Sequence, residues 1–280
     1  VAQIVRLNST EQLKRCEEVQ EKIWGSDPIP YTLLRAIQDS GGLVLGAYDD
    51  RGEMIGVLVG FLGMKEGRLV HYSHICGVVE EARFRDVGFQ LKSEQRRFAL
   101  SQGLDLVVWT FDPLQGANAY FNLHKLGAVA RRYLRNYYGL MEDRLNAGME
   151  SDRLLAEWWI RSGRVEASLR GERPFRSVGQ LLEQGAELAT VTEEVAPGLR
   201  RLASHALGLK AGALLIEIPE SINAIKQRDL GLAIEWRNRT RELFEHYLSR
   251  GYVATDLISE KQGEGRRNFY LLERGFRLEG

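Results

Sequence analysis

Eight residues, Leu104 to Phe111, apolar but for Asp105 and Thr110, lack the period-two alternation of a half-wetted strand, and Asp112-Pro113 closes them. Such a strand is covered on both faces, so the surrounding chain must supply helices to both sides of a sheet. A helix from about Val87 to Ser101 precedes the run, with Gly103 just past its end as a C-terminal cap would be. Another helix follows, carrying Ala119, Leu123 and Leu126 at core spacing and stopping at Gly127. A strand from Ala130 to Tyr138 comes next.

Upstream the pattern is a meander. Ile4 to Leu7 reads as a strand. Ser9 and Gln12 have capping-box spacing, and Leu13, Cys16, Val19 and Ile23 give a helical stripe that Asp27-Pro28-Ile29-Pro30 interrupts. A short helix from Thr32 to Asp39 ends at Gly41-Gly42. Strands Leu43 to Tyr48 and Met54 to Leu62 flank a turn at Asp49-Asp50-Arg51-Gly52, and another runs from about Leu69 to Val79 after Lys65-Glu66-Gly67. A meander followed by strand–helix–strand units predicts an α+β fold: a mixed, mostly antiparallel sheet with helices on both faces.

A length of 280 residues suggests two compact units. The expected division is a domain over 1–160 and a smaller C-terminal strand–helix–strand subdomain over 161–280. Residues 161–200, punctuated by Gly163, Gly171, Pro174, Gly179, Gly185 and Pro197, read as a linker with short strands. Beyond them come an apolar strand Ala213 to Ile218, a helix of roughly Asp229 to Arg250, and strands Val253 to Ile258 and Arg267 to Leu272. Strand, Pro113, helix, Gly127, strand is then matched by strand, Pro219, helix, Gly251, strand. This is a repeat in the order of elements, although strand–helix–strand units are common enough to arise without one.

Lys+Arg and Asp+Glu are both 38, a formal net charge of +0 that disfavours duplex nucleic acid as a partner. Cys16 and Cys76 have no partners at metal-ligand spacing and read as buried small hydrophobes, and no metal site is expected. No apolar run reaches a membrane span, and the first residues lack a basic-then-apolar leader pattern, so a cytoplasmic protein without membrane attachment is expected.

Local motifs add to the element order. Ser73-His74, Gly77-Val78, Trp109-Thr110-Phe111-Asp112-Pro113-Leu114 and Asn118-Ala119-Tyr120-Phe121-Asn122 form one set. Lys125-Leu126-Gly127-Ala128, Asn136-Tyr137-Tyr138-Gly139, Ser151-Asp152-Arg153, Ile218-Pro219, Leu232-Ala233, Trp236-Arg237 and Gly251-Tyr252 continue it. Together they resemble the GNAT acyltransferase superfamily, in particular a branch labelled predicted acetyltransferase, with a C-terminal half-GNAT-like extension.

The resemblance implies a GNAT-like sheet and an acyl-CoA-dependent N-acyltransferase. Acetyl-CoA, or a longer acyl-CoA such as succinyl-CoA, would be cosubstrate, and the acceptor would be a small-molecule amine. An amino acid is one such acceptor, its carboxylate met by Arg237 and Arg241 one turn apart, although a solvated helix face paired with Glu235 or Glu245 is the favoured reading of both. The alternative is a non-catalytic GNAT-fold ligand-binding or sensor protein. A homodimer is left open.

The superfamily's pyrophosphate loop, an Arg or Gln followed by two spaced small residues, maps onto Arg83-Phe84-Arg85-Asp86-Val87-Gly88. Small residues let backbone N–H groups close on phosphate at a helix N-terminus. Here Asp86 stands where the first glycine belongs; it reads as an N-cap with its carboxylate turned outward. Cofactor binding is assigned to Val78, Val79, Arg83, Arg85, Asp86, Val87, Gly88 and Asn118, with a thioester-polarising N–H expected near Gly77, Val78 or Val79. His74 is the candidate base, Ser73 would orient it or touch substrate, and His71 is expected on an exposed hairpin edge. The tyrosine that the superfamily places four residues before the helix-ending glycine, as acid to the thiolate, is Leu123 here. The equivalent in the second unit is Tyr247, a catalytic candidate that also fits the apolar stripe of its helix; Tyr120 and His124 are nearby substitutes.

Overall fold

A computed structural model describes residues 2–25, 28–82, 86–140, 148–263 and 265–278. They divide into two compact units, one reaching Trp109 and one from Thr110 onward, so the chain changes unit inside a strand. No helix among the described residues is long and apolar enough to cross a membrane.

The first unit follows the expected order: β1 (Gln3–Arg6), α1 (Thr10–Trp24), α2 (Tyr31–Asp39), β2 (Leu43–Tyr48), β3 (Met54–Lys65), β4 (Arg68–Val78), α3 (Val87–Ser101) and β5 (Leu106–Phe111). Its sheet runs β1-β2-β3-β4-β5, antiparallel except for the parallel β4–β5 pair. The capping box is present: Ser9 Oγ accepts from Gln12 N at 3.2 Å, and Gln12 Oε1 accepts from Ser9 N at 3.0 Å. Leu13, Cys16 and Val19 of α1 and Leu34 of α2 pack with Val57 and Val59 on one face of the sheet. Val87 and Leu91 of α3 pack with Leu43, Leu45 and Leu58 on the other. β5 is buried as its lack of alternation requires.

One irregularity in β4 positions everything that follows. Val59 faces Ile75 and Gly60 faces Ser73, so His74 is an extra residue, a β-bulge. A bulge flips the inside–outside phase of the strand beyond it. His71 and Ser73 face α3 before it; after it Ile75 and Val79 join the α1 side, while Cys76 and Val78 turn to α3.

The second unit contains α4 (Gly116–Tyr120), β6 (Val129–Leu134), β7 (Arg153–Trp159), α5 (Gly163–Leu169), α6 (Val178–Glu183), β8 (Glu187–Leu188), β9 (Thr190–Ala196) and β10 (Leu199–His205). After these come β11 (Ala213–Ile218), α7 (Ile222–Arg228), α8 (Leu230–Leu248), β12 (Tyr252–Gln262) and β13 (Gly265–Arg274). Within it the strand order is β7-β6-β12-β13-β11-β8, and β9 and β10 form a separate hairpin. α4 continues into a single π turn over Phe121–Lys125, closed by Leu126 N donating to Phe121 O at 2.9 Å.

The two strand–helix–strand units match in detail. Gly127 and Gly251 both stop their helices with positive φ, 74° and 82°. Three residues later Ala130 and Ala254 pair with each other, joining β6 to β12. Each alanine is followed by a bulge, between Ala130 and Arg132 and between Ala254 and Asp256. Through this pairing every strand after β5, apart from the β9–β10 hairpin, lies in one sheet. Residues 161–200, expected as a linker with short strands, hold two helices ahead of β8, β9 and the start of β10, and β7 and α7 have no counterpart in the sequence reading.

Candidate active site

β4 and β5 pair at only two positions, His71 with Val107 and Tyr72 with Val108. Beyond them, at Ser73 and Trp109, the β4–β5 ladder does not continue among the described residues, and the bulge at His74 supplies the reason: it turns β4 away just as the parallel ladder would continue. Val79 N donates to Ile55 O of β3 at 2.9 Å. Antiparallel ladders alternate their bonding edge, so the Val78 N–H points to the opposite edge, where β5 no longer follows. Of the two valines expected near the thioester, Val78 can therefore offer an amide to a ligand, and the Val79 amide cannot.

α3 begins where the sequence places it. Its first ladder bond is Gln90 N to Asp86 O at 3.0 Å, which leaves the amides of Val87, Gly88 and Phe89 without intrahelical partners. Asp86 is exposed and holds φ +55°, the left-handed region, and its side chain makes no cap bond. The expected side-chain N-cap is thus corrected. Asp86 occupies the cap position through backbone conformation, the one that glycine adopts most readily and Asp tolerates. Arg83 and Arg85 lie outside the described residues.

His74, the bulged residue, is exposed on the α1 side of β4, beside Phe61 and Tyr72 at ring distances of 5.9 and 6.4 Å. Desolvation by these surroundings holds its imidazole below the ordinary histidine value, which keeps it neutral, as a base must be, at pH 7. Ser73 points the other way. It is buried and accepts from Lys92 Nζ of α3 at 3.0 Å, so it does not orient His74.

That lysine is what the sequence reading missed. Lys92 is 2% exposed, donates also to Gln95 Oε1 at 3.0 Å, and sits 3.5 Å from the ring centroid of Trp109. Burial pushes its ammonium down to about 8. The available signal was helical phase: Lys92 lies on the stripe of Val87, Leu91, Gln95 and Ala99, the buried face of α3. His71, expected on an exposed edge, is fully buried on the same side, and both its ring nitrogens lack a hydrogen-bond partner among the described residues. Burial first, then the Lys92 charge, lowers it to about 4.

In the second unit, Tyr247 is fully buried, and its hydroxyl donates to Ala206 O at 2.6 Å. That places it in packing, so its expected role as an acid is corrected. Asn118 is exposed on α4, its Oδ1 accepting from Asn122 Nδ2 at 3.4 Å. Leu123 is fully buried. His124 meets Asp256 Oδ1 at 3.0 Å and stacks on Tyr120, and Arg173 Nη2 donates to Asp256 Oδ2 at 2.7 Å. Arg237 and Arg241 are neither surface residues nor carboxylate receptors. Arg237 forms a two-bond pair with Asp112 at 2.8 and 2.7 Å, and Arg241 binds Asp152 at 2.7 and 3.0 Å together with Glu150. Tyr133 and the Asn136 amide complete the shell of Asp152.

The sequence matches no protein-family model and no curated protein. Among the solved structures similar to it over little more than half its length are the following three. The ribosomal-protein-S18-alanine N-acetyltransferase of Escherichia coli is 14% identical, with a TM-score of 0.47, over 57% of this chain and 94% of that one. NAA60 of Arabidopsis thaliana, in complex with a bisubstrate analogue, is 15% identical with a TM-score of 0.47, over 57% and 99%. Naa20 of Chaetomium thermophilum, also with a bisubstrate analogue, is 16% identical with a TM-score of 0.45, over 55% and 85%.

Proposed function

We propose that the first unit is an acyl-CoA-dependent N-acyltransferase acting on a primary amine. The observation that carries this reading is the parting of β4 from β5 after two residue pairs, which leaves the Val78 amide facing an open strand edge. A preorganised N–H at such an edge suits the carbonyl of a thioester, whose oxygen gains negative charge as an amine attacks. The first turn of α3, with Val87 and side-chain-free Gly88, suits a pyrophosphate. His74, neutral and exposed one bulge away, suits removal of the proton from the attacking ammonium.

Asp86 works against phosphate, both by charge and by filling a glycine position. Its replacement by glycine would relieve both effects. The acyl group of this proposal is acetyl or a longer chain such as succinyl. The acceptor is a small-molecule amine; the amino-acid variant loses its motive, because Arg237 and Arg241 are committed to Asp112 and Asp152.

A thermal-shift series with acetyl-CoA, succinyl-CoA and free CoA tests the reading. The melting temperature rises with at least one of them, and more in Asp86→Gly. No shift at millimolar concentration with any of the three sinks it in favour of a non-catalytic role. His74→Ala lowers kcat by about 100-fold with little change in acyl-CoA binding; an unaltered kcat removes His74 from the mechanism.

A further inference from the structure

Breaking a thioester leaves a thiolate, which needs a proton. The tyrosine that would serve by resemblance is Leu123, and Tyr247 is tied to Ala206 O. The first unit holds another donor. Ser73 and Trp109 are the first residues on β4 and β5 beyond the last strand pair, and Lys92 Nζ is bracketed by them, 3.0 Å from Ser73 Oγ and 3.5 Å from the Trp109 centroid. The ammonium therefore lies, on the α3 side of the sheet, against the two residues at which the strands part. Because Ser73 Oγ accepts from Lys92, its own hydroxyl proton is available to a further acceptor.

We propose that Lys92, acting through the Ser73 hydroxyl, is the proton donor to the thiolate leaving group, an inference that rests on the acyltransferase reading above. The nitrogen of the amine forms a bond to the carbonyl carbon and gives its proton to His74. The carbon–sulfur bond breaks, and its electron pair goes to sulfur. Sulfur takes the Ser73 proton as Ser73 Oγ takes one from Lys92. The neutral amine of Lys92 regains a proton from solvent after product leaves.

The acidity is suited to the task. An ordinary thiol titrates near ~8.5, and burial brings Lys92 to about 8, so the transfer is close to thermoneutral. Among the described residues, Cys76 of β4 bears on Lys92, and Lys92 in turn bears on His71 of the same strand. Burial holds His71 neutral at this pH, and burial keeps Cys76 protonated by raising its thiol. Gln95 of its own helix and Trp109 of β5 bind the ammonium without titrating.

The full-length protein is assayed with an acyl-CoA and with an aryl thioester, whose leaving group needs no proton. An amine acceptor is first found by CoA release from a panel of primary amines. Lys92→Met and Ser73→Ala each lose about 100-fold in kcat with the CoA donor, leave its KM unchanged, and lose far less with the aryl thioester. The double variant is no worse than either single one, as expected of one relay. Lys92→Arg, charged but unable to release a proton, stays as slow as Lys92→Met. Full activity in Lys92→Arg, or equal losses with both donors, overturns the relay.

A readout without any donor accompanies this. The tryptophan emission of the wild type titrates near pH 8, and neither Lys92→Met nor Trp109→Phe shows that step; its persistence in Lys92→Met also overturns the assignment. If the wild type neither binds nor consumes an acyl-CoA, the acyltransferase reading has failed. If the wild type turns over and Lys92→Met matches it, the relay alone has failed.

Discussion

Lys92 and His71 are two nitrogen bases held away from water on one face of β4, and both leave a mark on stability. Each binds protons more weakly in the folded chain than in the unfolded one. Stability therefore rises with pH wherever the unfolded chain still holds the proton. For His71 that window runs from about 4 to the ordinary 6.5; stability present above 6.5 is lost as pH falls toward 4. For Lys92 the window runs from about 8 to 10.5. Below it the buried ammonium carries a cost on the order of 3 kcal/mol, which fades as pH rises to 10.5. Urea titrations across pH should show both rises. His71→Leu should abolish the acid one and leave the alkaline one, and Lys92→Met should do the reverse. An acid rise that survives in His71→Leu would place the protonation elsewhere. Neither residue stands out in sequence, because a lysine within a helix or a histidine within a strand carries no mark of depth; only the phase of α3 hinted at Lys92.

At the scale of elements, the strands and helices of the first unit were legible and the bulge was not. The capping box at Ser9, the start of α3 at Val87 and the burial of β5 follow from spacing and apolar pattern. A single extra residue at His74 has no such signature, because β4 reads equally well as an unbroken strand. Yet the bulge reverses which face the residues after His74 present, sending Ile75 to the α1 side and Cys76 to α3, and the β4–β5 ladder ends beside it. It also turns Gly77 toward α1, where a Cβ would stand 2.5 Å from a ring carbon of Trp24. Gly77→Ala should therefore destabilise the protein by about 1–3 kcal/mol, measured by denaturant midpoint. Gly52→Ala, whose Cβ would meet nothing within 4 Å but whose φ is +79°, gives a comparison in which backbone strain acts alone. A Gly77→Ala loss no larger than that of Gly52→Ala would mean that Trp24 yields.

For the whole molecule, the sequence suggested a complete domain over 1–160 with an appended half. Segments ahead of residue 160 take partners from the C-terminal half. Asp112 and Asp152 are held by Arg237 and Arg241, and the Pro113 carbonyl by the Tyr270 hydroxyl at 2.8 Å. These partners lie 89 to 157 residues further on, a separation no local pattern reveals. A chain cut after residue 160 should be insoluble or unfolded, because two carboxylates lose their guanidinium partners and β6 loses β12. In the full chain, Asp112→Asn should cost about 3–5 kcal/mol by leaving the Arg237 charge buried without its partner. A fragment 1–160 with a cooperative melt would restore the boundary read from sequence.

The π turn at Phe121–Lys125 bears on how this chain should be aligned with others. A π turn takes up one more residue than the α-helical turn it replaces, so counting back from Gly127 runs one position ahead of counting forward from α4. Leu123 is four residues before the glycine only by the first count. An alignment that keeps the spacing constant will set the wrong side chains opposite one another, and a one-residue gap inside this turn brings both ends of the helix into correspondence.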